Sequence, residues 1–491
     1  MKPSPNSGPK LPTPSPVTAD ATEWLRRIRA GECSAVDMVR WHLDRIEALQ
    51  PTLNAAVDMF RDRALAEAAA PRPGPLSGLP VTVKETFGLA GATVTAGSRL
   101  RTPQHHGRDC ALVQRLRDAG AIVIARSNVP EFAMTAETTN PRYGRTANPL
   151  DPARTAGGSS GGEGALVSSR GSALGFGSDI LGSIRYPAAF CGVVGFRPAS
   201  GAVDREGTWP VIDTATGSWL SLGPLARSVR DIRLAYDVIA RSPAAPPGSS
   251  LRGIRLIGPE GFPLRYREPY IAEAVDAAGA VLEEAGARRE THGFTDVRGL
   301  YRDIPAIMLG EHWSRWIGDL SGQAGRFSVP GELVRRLAGR GRVDPGFLMW
   351  LLLGWFWRPR RASLARIEDR YRLARERYQR LLGEDGILLL PTVGMLAPRH
   401  GAMNRATLRP GPNGLVTPTT FCNYCDLPAI SIPAWRHADP ATGLPPSVML
   451  ACAPGAEGRL LDAAAVVESA LGVDASLPTG DAEGGHLSSR R

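Results

Sequence analysis

The chain has 491 residues, 43% of them apolar and 22% charged, with 55 Gly and 42 Pro. This composition excludes a collagen, a coiled coil and a wholly disordered chain, and it leaves a globular protein with a large core. The net charge is +10, but the basic residues are scattered among acids. No zinc-finger, basic-zipper or RNA-recognition pattern is present, so nucleic acid is not an expected partner.

In chain order, residues 1–18 are rich in Pro and Ser and read as an unstructured tail. No charged-then-apolar leader opens the chain, and six sparse cysteines give no disulfide framework, so a reducing, cytoplasmic setting is expected. A helix is predicted over 34–49, with Ser34 as N-cap, Asp37 completing an approximate capping box, and Val36, Val39, Leu43 and Ile46 on one face. A second helix is predicted over 109–119, closed by Gly120 and followed by a strand at Ala121–Ala125. Short apolar runs at Ile254–Ile257, Ile387–Leu390, Ala429–Ile432 and Val448–Cys452 read as further strands, with a long helix over 362–382 among them. Strands alternating with helices predict an α/β fold, its sheet covered on both faces. Cys422 and Cys425 form a lone CxxC with no second pair or nearby His, so no metal is expected there. The stretch from Val473 to Arg491 reads as a second unstructured tail, leaving 19–472 as one domain.

The basic residues are 55 Arg and 3 Lys: Lys2, Lys10 and Lys84. Only lysine can give up its proton at accessible pH. Lys84, the single lysine after residue 10, is therefore a candidate base, chance survival being the plain alternative. The segment Gly157-Gly158-Ser159-Ser160-Gly161-Gly162, followed by Gly177-Ser178-Asp179-Ile180-Leu181-Gly182-Ser183-Ile184-Arg185, is the most informative. Its glycines permit close backbone approach. It could be a phosphate cradle, a linker, or a nucleophile with its oxyanion hole. A P-loop needs a lysine after the glycines and this segment has none. A linker would not run on into the apolar Ile184–Phe196. The nucleophile reading survives, although the usual GxSxG elbow is missing.

These residues, with Gly78–Glu85, Arg126–Phe132, Asn148-Pro149, Tyr186–Gly192, Gly223–Val229 and Leu427-Pro428-Ala429, resemble the amidase signature family. The resemblance runs from about residue 25 to 472. Glu163 and the stretch Asn423–Pro428 lean toward its fatty-acid-amide-hydrolase-like branch. It implies one large α/β domain around a mixed, twisted sheet, and a metal-free serine amidase with no cofactor. It further implies a triad: Ser183 as nucleophile, Ser159 on a cis peptide bond as proton relay, and Lys84 as base. Backbone N–H groups of Ile180, Leu181, Gly182 and Ser183 would form the oxyanion hole, and Asp179 and Arg185 would pair to brace the loop. To act as a base, Lys84 must be shifted down from its usual ~10.4; a site walled by glycine backbone with no nearby carboxylate would do that. Leu181 stands where the family most often has Gly. It is strained if that position needs positive φ, and otherwise reshapes the pocket.

The run Gly346–Trp357 is almost wholly apolar and too short to span a bilayer, with Arg335, Arg336, Arg340 and Arg342 before it and Arg358, Arg360 and Arg361 after it. It reads as a core helix, as a wall of an apolar substrate pocket, or as a peripheral membrane contact. The expected partner is a small-molecule amide with a bulky or apolar acyl group; a homodimer is left open. The rival functions are a glutamine-dependent amidotransferase A-type subunit, an amide-forming acyltransferase, and a non-catalytic amide-binding homologue.

Overall fold

The protein is described from a computed structural model over residues 19–248, 250–322, 327–407 and 416–472; the expected tails lie outside these described residues. Eleven strands form one sheet. They are β1 Ala56–Met59, β2 Pro80–Lys84, β3 Ile122–Ser127, β4 Leu174–Asp179, β5 Val194–Arg197 and β6 Ser221–Ala226, then β7 Arg255–Glu260, β8 Arg288–Gly293, β9 Gly386–Pro391, β10 Ala429–Pro433 and β11 Ser447–Ala451. Their spatial order is β1-β3-β2-β4-β6-β5-β10-β11-β9-β7-β8. β2 runs parallel to β3 and β4, and β7 runs parallel to β8 and β9. The remaining pairs are antiparallel, so the sheet is mixed as expected.

Side chains alternate across a strand, and here the alternation separates two cores. Leu256, Ile387, Leu389, Val448 and Leu450 pack with the helices Pro269–Glu284 and Glu457–Leu471. Their neighbours Ile257, Leu388, Leu390 and Met449 pack with the helices Val297–Ser321, Arg361–Leu382 and Thr417–Tyr424. Both faces are therefore covered, which is why these strands read as unbroken apolar runs.

The helix predicted over 34–49 spans Ala35–Leu53, and Ser34 Oγ accepts from the Asp37 N–H at 3.0 Å. It continues through Pro51 and ends at Asn54 in the left-handed conformation, whose N–H returns to Gln50. The second predicted helix spans Ala111–Asp118, and β3 extends past Ala125 because Arg126 and Ser127 still pair with β1 and β2. The apolar run is the helix Pro345–Phe356, capped by Asp344. Phe347, Leu348 and Leu351 enter the core, while Met349, Leu353, Trp355, Phe356 and Trp357 are exposed. Among the described residues no helix is long and apolar enough to cross a membrane.

Candidate active site

Because β2 and β4 run parallel and side by side, their C-terminal ends, Lys84 and Ser178-Asp179, reach the same edge of the sheet. The Gly/Ser segment folds over this edge before entering the helix Gly161–Ser168. A Cβ on Gly158 would lie 2.7 Å from the Thr135 carbonyl oxygen, so only glycine fits that backbone approach. The Gly158–Ser159 peptide is cis, as expected. The Ser160 N–H then donates to the Ser183 carbonyl at 3.1 Å, which docks the two serine-bearing loops on one another.

Lys84 is fully buried, and its Nζ lies 2.6 Å from Ser159 Oγ and 2.9 Å from Ser178 Oγ. Desolvation by burial pushes its pKa down to about 7. The expectation of no nearby carboxylate is corrected here. Asp179, Glu163 and Glu85 all stand close enough to pull the lysine back up, because the strands and the helix that enclose Lys84 carry them in. Ser183, 8% exposed, opens on the same cavity system.

Asp179 and Arg185 are both fully buried and pair at 3.0 Å. Burial alone would raise the Asp179 carboxyl, but the Arg185 charge and hydrogen bonds hold it well below the usual carboxylate range. The carboxylate also accepts from the Ile184 N–H at 3.0 Å and from Asn423 Nδ2 at 2.8 Å, and Arg185 Nη2 donates to Asn423 Oδ1 at 2.5 Å.

The same carboxylate forces a second correction. The Gly182 N–H, expected in the oxyanion hole, donates to Asp179 Oδ1 at 2.8 Å and is already used. The N–H groups of Ile180, Leu181 and Ser183 have no acceptor among the described residues. Leu181 does not sit at positive φ, so it carries no left-handed strain; with Ile180 it faces the cavity.

Two cavities meet at Ser183. One, of about 470 Å³, is lined chiefly by apolar groups including Met134, Leu181, Ile304, Met308, Trp350 and Leu353. The other, of about 40 Å³, touches Ser159 and Ser178 as well, and carries His312, Arg315 and Asp319. The apolar helix thus serves both as core and as pocket wall.

Sequence reasoning missed Ser178 and Asn423. Ser178 lay inside the quoted motif, but its reach to Lys84 depends on which face of β4 it takes. Asn423 stands in the stretch quoted for the family branch, but its partner Asp179 lies 244 residues away, so its role has no local signal.

At this edge the fold brings together a buried lysine, two serines and glycine-rich backbone. The profile of the Amidase family matches residues 37–461, and the chain belongs to that family, the amidase-signature enzymes. It is similar to the A-type subunit of the glutamyl-tRNA(Gln) amidotransferase of Thermus thermophilus, at 34% identity over 92% of this chain and 97% of the relative. It is also similar to fatty-acid amide hydrolase 2-B of Danio rerio, at 30% identity over 78% of each chain. The solved structure of 6-aminohexanoate cyclic dimer hydrolase with its substrate superposes with a TM-score of 0.78 at 25% identity, covering 93% of this chain and 98% of that one.

Proposed function

We propose that the protein is a serine amidase that cleaves the amide of a bulky, apolar acyl group through an acyl-enzyme on Ser183. The observation that carries this reading is Lys84: fully buried, 2.6 Å from Ser159, and without an ion-pair partner among the described residues. In the neutral state it takes the Ser159 proton as Ser159 takes that of Ser183, whose Oγ attacks the carbonyl carbon. The oxyanion meets the free N–H groups of Ile180, Leu181 and Ser183, each worth about 3 kcal/mol in the transition state. The proton then returns through Ser159 to the leaving nitrogen. The C–N bond breaks, the amine departs, and water releases the acid by the same relay.

The acyl group occupies the 470 Å³ cavity. The amine side is the small cavity, because that one touches Ser159, the group that protonates the nitrogen. Glutamine, with a charged ammonium and carboxylate on its α-carbon, matches a cavity lined chiefly by apolar groups poorly, which favours hydrolysis over the amidotransferase reading. A binding-only homologue would need Leu181 to spoil the oxyanion hole, and Leu181 is unstrained.

Intact-mass labelling with a fluorophosphonate tests the reading. One adduct on wild type that is lost in Ser183→Ala supports it, with decanamide hydrolysed well above glutamine. No adduct on folded wild type between pH 6 and 9 overturns it.

A peripheral membrane contact belongs to the same proposal. Among the described residues, eight of the eleven exposed large apolar side chains lie between Leu333 and Trp357. Residues 327–361 contain two acids, Glu332 and Asp344, and both are buried. Exposed Trp and Leu ringed by arginine fit an anionic bilayer surface. Co-sedimentation with anionic vesicles decides it.

A further inference from the structure

The Gly/Ser segment is tied to β2 by two rungs. One is Lys84 to Ser159. Two residues back, on the same face of the strand, Thr82 Oγ1 donates to Glu163 Oε2 at 2.5 Å. Glu163 lies in the first turn of the helix Gly161–Ser168, four residues after Ser159, and is fully buried. The carboxyl fits because β4 carries a glycine opposite it: a Cβ on Gly175 would lie 2.4 Å from Oε2.

Three carboxyl groups act on Lys84, and two already have other partners. Asp179, from β4, is paired with Arg185. Glu85, next to Lys84 on the chain, accepts from the Thr95 and Ala96 N–H groups and feels the charge of Arg126. Glu163 has no arginine partner among the described residues. It is faced by Thr82 from β2, by Ser127 from β3 and by the Phe176 N–H from β4, and the cation that acts on it is Lys84. Burial pushes its carboxyl up to about 7.

We propose that Glu163 is a positioning residue that sets the protonation of Lys84 through its own charge. The inference rests on the serine-amidase reading above. An ionised Glu163 keeps the proton on Lys84 and withholds the base. A protonated Glu163 leaves the amine neutral and able to accept from Ser159. The charge on Glu163 thus sets how readily Lys84 gives up its proton, and with it whether Ser183 can be activated.

The experiment is the pH dependence of fluorophosphonate labelling at Ser183. Glu163→Gln keeps the size and the acceptor for Thr82 but removes the charge. Lys84 then sheds its proton more easily, and the acid limb of the labelling rate moves to lower pH by about one unit. Glu163→Asp, which retains the charge but disturbs packing, leaves the limb within a few tenths of a unit of wild type. Should Glu163→Gln fail to fold, Thr82→Val withdraws the hydrogen bond that favours the ionised carboxylate and shifts the limb in the same direction. An unmoved limb in the folded variants overturns the proposal, as does a limb that moves equally in Glu163→Asp. If wild type itself takes no adduct, the amidase reading falls first and this inference falls with it.

Discussion

Arg185 and Lys84 are both fully buried and both feel the charge of Asp179, yet they meet burial in opposite ways. Arg185 is locked to Asp179 by two nitrogen–oxygen contacts of 3.0 Å, with Asn423 closing the group. Desolvation works against its charge, but Asp179 outweighs it and the guanidinium pKa is raised. Lys84 has hydroxyl partners only, so desolvation prevails and its pKa falls to about 7. Burial alone therefore assigns no role: the partner decides whether a buried cation is a brace or a base. Arginine suits the first task and lysine the second.

The largest effect should come from breaking the brace. Arg185→Met leaves the Asp179 carboxylate buried without its counter-charge, at a cost of about 3–5 kcal/mol. Denaturant unfolding should show that loss. Asp179→Asn combined with Arg185→Met should recover most of it, because no unpaired charge then remains. If the double variant is as unstable as the single one, the pair is not what holds the 180–184 turn.

The same replacement at the base should separate stability from activity. Lys84→Met should cut turnover by about 10²–10⁴ while the protein stays folded. The sign of its stability effect is fixed by linkage. The folded pKa is depressed, to about 7 from 10.5, so the native state binds this proton less readily than the unfolded chain. The penalty is fully present below about pH 7 and fades as pH rises toward 10.5. Lys84→Met should therefore gain stability relative to wild type, most below about pH 7 and least near pH 10.5. Thermal unfolding at pH 6 and pH 9 checks this, and a variant less stable than wild type at pH 6 would assign Lys84 a structural role instead.

This contrast was only half legible in the sequence. Lys84, Ser159 and Ser183 stood in runs that could be quoted residue by residue, and the Asp179–Arg185 pair lies six residues apart in one of them. The strands were visible because both faces of the sheet are covered, which leaves runs such as Ile387–Leu390 continuously apolar. Hidden were the groups that reach the site across the fold: Ser178 beside Lys84, Asn423 on Asp179, and the Thr82–Glu163 contact, whose partners are 81 residues apart. The Gly182 N–H was misassigned for a related reason, since its use depends on where the Asp179 side chain turns. The run Gly346–Trp357 could not be divided between core, pocket and surface until its helical faces met their neighbours.

A third kind of cation, unpartnered but solvated, should give the smallest effect on the fold. Arg335, Arg336, Arg360 and Arg361 form no ion pair among the described residues, and unlike Lys84 they stay exposed to water. Replacing all four by Gln should change stability by no more than about 0.5 kcal/mol per site, and should leave hydrolysis of a short, soluble amide as in wild type. Binding to anionic vesicles is a different matter, because each basic group near such a surface contributes about 1 kcal/mol. The quadruple variant should lose on the order of 10²-fold or more in vesicle affinity at low salt, and added salt should narrow its gap from wild type. Neutral vesicles, held only by the apolar side chains around Trp355 and Phe356, should not distinguish the two proteins. Equal binding of both to anionic vesicles would mean that these arginines, like most solvated charges, do nothing that burial or a partner has not assigned them.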